Sequence, residues 1–267
     1  MIPDVLRIGP VPIHLFGILL ALAFLAANNV AAREFARKGW NPELASSVVV
    51  WAAVGGLVGA RLWIVLDDWQ SFVRAPLAYL ISTGGFVFYG GLFGGALAVT
   101  LFFRRHRIPW LRGADAVAPA IVLGQAIGRI GCQLAGDGDW GTVTRLPWGM
   151  AYPYAVVCGV PPCACGPAQQ CLWPPGVRVH PTPLYECFAY LAIFAVLWRK
   201  RLEPAADGTL LAWYLLLSGT ARFLVEFVRT NSVTAVGLTQ AQLASLAVAA
   251  VGGVALLAGR SWRPVAA

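Results

Sequence analysis

Charged residues are scarce in this chain. Aspartate, glutamate, lysine and arginine together make up 12% of its 267 residues, whereas 58% of the residues are apolar. A soluble domain carries about 25% charged residues, so this composition excludes an ordinary soluble protein. We therefore predict an integral membrane protein whose helices are apolar along most of their length.

The amino end has little of the basic character that opens a secretory signal peptide. The segment before the first apolar run contains Asp4 and several prolines, which makes it a poor basic leader. We therefore predict that the first apolar run is kept as an uncleaved membrane span.

Long apolar runs are abundant. A helix needs about 20 apolar residues to cross the hydrocarbon core of a bilayer. On that measure the predicted fold class is an all-α bundle of about seven transmembrane helices. We predict that residues 1–267 form one membrane domain. The predicted spans are residues 14–32, 45–66, 84–103, 114–134, 183–198, 209–228 and 238–258.

Lysine and arginine are concentrated in alternate connections between the predicted spans. Because short cytoplasmic loops retain basic residues, we predict that the N-terminus is outside and the C-terminus cytoplasmic. The net charge of +8 then reflects loops that face an anionic leaflet, and no nucleic-acid partner is expected. The basic residues of these connections are Arg33, Arg37, Lys38, Arg104, Arg105, Arg107, Arg112, Arg199, Lys200, Arg201, Arg260 and Arg263.

The longest polar connection, about residues 135–182, lies on the outer side in this topology. No histidine lies among its cysteines, and two of their spacings are wider than the usual pair of zinc ligands, which argues against a zinc site. Disulfides, with three pairings available, and free thiols both stay open. We expect no metal and no cofactor. The cysteines are Cys158, Cys163, Cys165 and Cys171.

Three arginines, Arg61, Arg129 and Arg222, lie inside or at the ends of predicted spans. An unpaired guanidinium in the hydrocarbon costs several kcal/mol, so each indicates an anionic partner within the membrane. The predicted topology puts all three near the outer leaflet, together with Tyr89 and His180. Arginines that meet at the level of lipid headgroups indicate phosphate binding, and a phospholipid is the natural candidate.

The sequence around two of these arginines offers partners for them. Arg222 and Glu226 are four residues apart and share a helical face, with Arg229 three residues further on. They form either a buried pair that neutralises itself or a pair that holds the arginine ready for a ligand. The glycines of GQAIGRIGCQLAGDGDWG would bring backbone N–H groups close to an anion beside Arg129.

Several short motifs follow one another along most of the chain. They are VGARLW around Arg61, FYGG at Tyr89, GRIGC with an acidic, glycine-rich turn that ends in Trp140-Gly141, HPTPLYE at 180–186 and RFLVEFVR at 222–229. Together they resemble the prolipoprotein diacylglyceryl transferase family, and the combination is specific although each motif alone is weak. The resemblance covers most of the chain.

The resemblance implies seven transmembrane helices with the N-terminus outside, in the bacterial cytoplasmic membrane. It also implies transfer of a diacylglyceryl group from phosphatidylglycerol to the lipobox cysteine thiol of an exported prolipoprotein, with release of glycerol phosphate. The partners it implies are therefore phosphatidylglycerol, other membrane lipids and a prolipoprotein signal peptide.

Residue by residue, the resemblance assigns phosphatidylglycerol binding and turnover to Arg129 and Arg222. Two arginines in a water-poor site would stabilise the charge that builds on the leaving phosphate. His180 is the best candidate base by its intrinsic pKa, or else caps the fifth span, and Tyr89 is a proton relay or an interfacial anchor. The predicted substrate-binding residues are Arg61, Asp137, Asp139, Tyr185, Glu186, Glu226 and Arg229.

The chain departs from the family pattern at several positions. Tyr89 stands where many members have histidine, Phe16 where tyrosine is usual, and Cys132 and Ala135 where asparagines are common. The turn GDGDWG has one extra residue, so either of its two aspartates matches the family's acidic residue, and a solvated turn is the plain alternative. These changes leave open a paralogue that uses the same donor and another acceptor.

Two further classes of function are weaker. A transporter also places charges in a helix bundle, but the sequence has no inverted repeat and no pair of broken helices. Clustering at one leaflet also argues against a conduction path. A purely structural membrane protein is the least favoured, because burying three arginines for stability alone is costly.

Overall fold

The computed structural model describes residues 5–8, 11–74, 76, 88–136, 138–152, 164–165, 171–172 and 177–259. Within these ranges it is built almost entirely from helices, so the predicted all-α class is confirmed. The helices are α1 (Leu15–Arg37), α2 (Glu43–Asp67), α3 (Trp69–Arg74), α4 (Phe88–Arg105), α5 (Trp110–Ala135), α6 (Thr182–Lys200), α7 (Thr209–Glu226) and α8 (Gln240–Gly259).

Each of the seven predicted spans overlaps one helix, and the short α3 is the additional one. Four helices in the described part of the chain, α1, α2, α5 and α8, are long and apolar enough to cross a membrane. The count of seven spans and their orientation stay predictions.

Two small antiparallel strand pairs accompany the helices. β1 (Val5–Ile8) pairs with β2 (Val11–His14) just before α1, and β3 (Ala164–Cys165) pairs with β4 (Cys171–Leu172). The second pair lies in the predicted outer connection and sets Cys165 opposite Cys171. Cys158 and Cys163 lie outside the described residues.

The chain divides into two compact units. The first comprises Met1–Ala27 and Val117–Ala267, and the second comprises Asn28–Ala116. The core of the first unit joins α5, α6 and α7, and it consists of Val122, Ala126, Cys187, Tyr190, Ile193, Leu197 and Leu210. Packing of α6 against α7 in this core positions the polar residues at their ends.

Glycines let α2 and α4 pack backbone against backbone in the second unit. A Cβ added at Gly59 would lie 2.7 Å from the Cα of Gly94, which is far closer than real Cβ atoms approach. A Cβ at Gly56, one turn earlier in α2, would meet only the carbonyl oxygen of Gly91 at 3.5 Å, an ordinary contact. The glycine pairs in the sequence therefore serve close helix packing.

We expect Gly59→Ala to destabilise the protein by about 1–3 kcal/mol, because the methyl group would push the two backbones apart. Thermal unfolding of the purified protein in detergent measures this as a lower Tm. Gly56→Ala is the matched control and should leave Tm unchanged or raise it. An equal effect of the two substitutions would contradict the packing explanation.

Candidate active site

Six charged side chains of the first unit meet in one cluster, which we call the charged cluster. They come from the end of α5, the loop after it, the start of α6, the end of α7 and the turn that follows α7. The members are Arg129, Asp139, Glu186, Arg222, Glu226 and Arg229.

Backbone hydrogen bonds hold these segments together. The N–H of Gly141 donates to the carbonyl of His180 (2.8 Å), and the N–H of Thr142 donates to the carbonyl of Val228 (2.8 Å). The hydroxyl of Thr182 donates to the carbonyl of Asp139. The loop after α5 is thereby tied to the start of α6 and to the residues that follow α7.

Gly141 is the point of closest approach in this junction. A Cβ at that position would lie 2.8 Å from the Cβ of His180 and 3.0 Å from the Cγ2 of Thr182. A residue without a side chain is therefore required where the loop crosses the start of α6.

The carboxylate of Glu186 is the centre of the charged cluster and is fully buried. Its Oε1 lies 2.7 Å from Nη1 of Arg222 and 4.0 Å from Nη1 of Arg229. Its Oε2 forms an ion pair with Nε of Arg129. One buried carboxylate thus orients the guanidinium groups of Arg129 and Arg222 and lies near that of Arg229.

Glu226 is the second buried carboxylate of the charged cluster. Its Oε2 lies 2.8 Å from Nη2 of Arg222 and 3.6 Å from Nε of Arg229. Its Oε1 accepts hydrogen bonds from Nδ2 of Asn231 (2.5 Å) and Oγ1 of Thr239 (2.9 Å). Asn231 and Thr239 were not predicted as site residues, and the polar residues that follow α7 are the sequence signal that could have indicated them.

Asp139 closes the charged cluster from the loop. Its Oδ1 forms an ion pair with Arg229 and its Oδ2 forms one with Arg129. Burial would raise the pKa of the Asp139 carboxyl, but Arg229 and Arg129 outweigh that effect and lower the pKa below its ordinary value. A solvated turn is therefore the wrong description of Asp139, while Asp137 lies outside the described residues.

The formal charges of the cluster balance, with three arginines against three carboxylates. The exposed fractions of the side chains differ: 24% for Arg129, 21% for Arg222 and 26% for Asp139, against 8% for Arg229 and none for the two glutamates. Arg129, Arg222 and Asp139 are therefore partly exposed, whereas Arg229 and the two glutamates are buried. The accessible edges of Arg129 and Arg222 are held in place before any ligand arrives, as anion binding requires.

A second polar group lies at the start of α6. Nδ1 of His180 is 3.1 Å from the hydroxyl of Tyr185, and the indole N–H of Trp148 donates to that hydroxyl (2.9 Å). An indole nitrogen only donates, so the oxygen of Tyr185 accepts from it, and the direction of the hydrogen bond between Tyr185 and His180 is set by the tautomer of the imidazole. Trp148 is exposed and was not selected from the sequence, since an aromatic residue in a polar connection carries no such signal.

The remaining sequence candidates are placed as follows. Arg61 lies in α2 and Tyr89 near the start of α4, both in the second unit, and their roles stay predictions. Cys132 lies one turn after Arg129, with its Sγ 3.9 Å from Nη1 of that arginine. One of the departures from the family pattern is thus in direct contact with the charged cluster.

Comparisons with known proteins agree with these motifs. A family model described as prolipoprotein diacylglyceryl transferase matches residues 3–258. A phosphatidylglycerol–prolipoprotein diacylglyceryl transferase of Nostoc sp. is 33% identical over an alignment of 271 positions, which covers 97% of this chain and 88% of that protein. Proteins of the same name are 33% identical in Gloeobacter violaceus, over 95% of this chain and 91% of theirs, and 31% identical in Coxiella burnetii, over 95% and 94%.

Proposed function

Because this chain belongs to the prolipoprotein diacylglyceryl transferase family, we propose that it transfers a diacylglyceryl group from phosphatidylglycerol to the thiol of a prolipoprotein cysteine. The name of the relatives states this donor and this class of acceptor. We infer that the acceptor thiol belongs to a lipobox cysteine and that the released product is glycerol phosphate. The enzyme would be a multi-pass protein of the bacterial cytoplasmic membrane.

The reaction joins sulfur to carbon and releases a phosphate monoester. The thiolate attacks the glyceryl carbon that carries the phosphate, the carbon–oxygen bond breaks, and its electron pair leaves on the oxygen of glycerol phosphate. The thiol has an ordinary pKa of about 8.5, so a base must take its proton. Negative charge builds on the leaving oxygen, and the protein has to stabilise it.

The arrangement of Arg129 and Arg222 on Glu186 is the observation that carries this proposal. Both guanidiniums are fixed by the buried carboxylate, and both keep an accessible edge. Donors that are oriented before the reaction lose no energy in reorganising as charge develops. We assign phosphate binding and leaving-group stabilisation to this pair, with Arg229 as a further phosphate-binding arginine and Glu226 as their support.

His180 is the proposed base, and the hydrogen bond between its Nδ1 and the hydroxyl of Tyr185 orients the ring. In the tautomer that carries its proton on Nδ1, that N–H donates to the oxygen of Tyr185, and the free Nε2 accepts the thiol proton. Trp148 donates to the same oxygen and acts through Tyr185, as a positioning residue. Arg61 stays a proposed substrate-binding residue and Tyr89 a proposed proton relay.

We expect Trp148→Phe to lower kcat about tenfold, with little change in KM for phosphatidylglycerol. The effect is smaller than the loss of the base itself, because Trp148 only positions the groups that transfer the proton. The loss of the indole donor frees the tyrosine hydroxyl to rotate, so the pH profile of kcat should shift as well. Trp110→Phe removes an indole donor from Thr100 in the second unit and is the control. An unchanged pH profile in Trp148→Phe would contradict the positioning role.

The proposed function is tested by mass spectrometry of a lipobox peptide incubated with the purified protein in phosphatidylglycerol vesicles. A diacylglyceryl mass gain on the peptide, absent when its cysteine is replaced by serine, is the expected result. Protein that is folded and binds phosphatidylglycerol but transfers nothing to the thiol would instead favour another acceptor. The contact between Cys132 and Arg129 would then be the first place to examine.

A further inference from the structure

We propose that the Asp139 carboxylate occupies the position that the donor's phosphate takes when it binds, and that phosphatidylglycerol binds by replacing it on Arg129 and Arg229. The inference rests on the proposed function, because phosphatidylglycerol supplies the phosphate. It makes Asp139 an internal competitor of the substrate.

The geometry of the Asp139 ion pairs is that of an anion bound between two arginines. One carboxylate oxygen faces Nη1 of Arg129 and the other faces Nη2 of Arg229. A phosphodiester also presents two charged oxygens on one atom, and guanidinium groups bind carboxylates and phosphates through the same pairs of N–H donors. Each group can therefore take the place of the other.

Asp139 is the carboxylate of the charged cluster that is suited to leave. Glu186 and Glu226 lie on helices and are fully buried, and Glu226 also holds Asn231 and Thr239. Asp139 lies on the loop after α5 and is the most exposed of the three. A phosphate can therefore reach its position.

The backbone at Asp139 is anchored, whereas its side chain pairs, among the described residues, with Arg129 and Arg229. Its carbonyl accepts from Thr182, and the next residue, Trp140, is buried with its ring centroid 5.0 Å from that of Tyr152. Gly138 has φ 94°, a left-handed conformation in which glycine is favoured. Rotation of the Asp139 side chain alone is therefore enough to free both guanidiniums.

Charge balance favours replacement over simple addition. A phosphodiester carries one negative charge, so its exchange for Asp139 keeps three positive against three negative charges. Adding the diester beside Asp139 would leave one excess negative charge among buried groups, which is costly. The product is a phosphate monoester with a charge of about −1.5 to −2 at pH 7, so it overcharges the site, and return of Asp139 helps to expel it.

The test is isothermal titration of glycerophosphoglycerol, the headgroup diester without acyl chains, into the full-length protein in detergent. We expect Asp139→Asn and Asp139→Ser to bind it about tenfold more tightly than the wild type. In the wild type, Asp139 blocks the site in most molecules, so the apparent affinity is reduced to the fraction of molecules in which the site is open. Inhibition of turnover by added glycerol phosphate should become stronger in the same variants. Glu203→Gln, which removes an exposed carboxylate paired with Lys200, should change neither quantity.

The outcomes separate the two proposals. Wild-type binding that the Asp139 variants leave unchanged or weaken would overturn the exchange and leave the proposed function standing. Variants that no longer fold would also overturn it, because Asp139 would then be a fixed support of the arginines. Absence of binding in the wild type, together with no transfer to the lipobox peptide, would overturn the proposed function itself.

Discussion

Replacing Arg129 with lysine is expected to lower the rate of diacylglyceryl transfer by at least about 100-fold, the cost of removing one fixed donor from a developing anion. Lysine keeps the positive charge that Glu186 and Asp139 require, so the fold is preserved. It cannot contact both carboxylates and a phosphate at once, because an ammonium group lacks the planar fork of guanidinium. The measurement is turnover of a lipobox peptide in phosphatidylglycerol vesicles.

Arg145→Lys is the matched control for this experiment, since Arg145 is an exposed arginine of the same loop region. It should keep the wild-type rate. The Tm of both variants should lie close to that of the wild type. A folded Arg129→Lys protein with near-normal turnover would refute the assignment of leaving-group stabilisation to Arg129.

Replacing Glu186 with glutamine is expected to lower the free energy of unfolding by about 3–5 kcal/mol. The amide has the same shape but no charge, so Arg129 and Arg222 lose the buried carboxylate that orients both of them. We therefore expect a Tm well below that of the wild type, together with loss of transfer. Thermal unfolding in detergent and the peptide assay measure the two effects.

Glu43→Gln, at an exposed position in the first turn of α2, is the control for loss of a carboxylate and should leave Tm nearly unchanged. A stable Glu186→Gln protein would mean that the arginines find other anionic partners. The central role of this carboxylate would then be wrong.

The helices could be predicted from the sequence because apolar runs of about 20 residues are a strong signal. Seven predicted spans each overlap a helix. The strand pair β1–β2 was missed, since runs of four residues carry too little periodicity to identify a strand.

The charged cluster was only partly predictable. The pairing of Arg222 with Glu226 follows from their helical spacing. No local pattern shows that Arg129 and Arg222 share Glu186, because three separate helices must pack before these side chains meet. The sequence also could not decide between Asp137 and Asp139, and the structure places Asp139 against the arginines.

The balance of three arginines and three carboxylates also constrains how this protein can evolve. Losing Glu186 or Glu226 leaves an uncompensated charge among buried neighbours, so a single substitution of either is selected against even where the fold tolerates it. A lineage can leave this arrangement only by changing two members of opposite sign together. Positions 222 and 226, which pair directly, are therefore expected to covary among relatives.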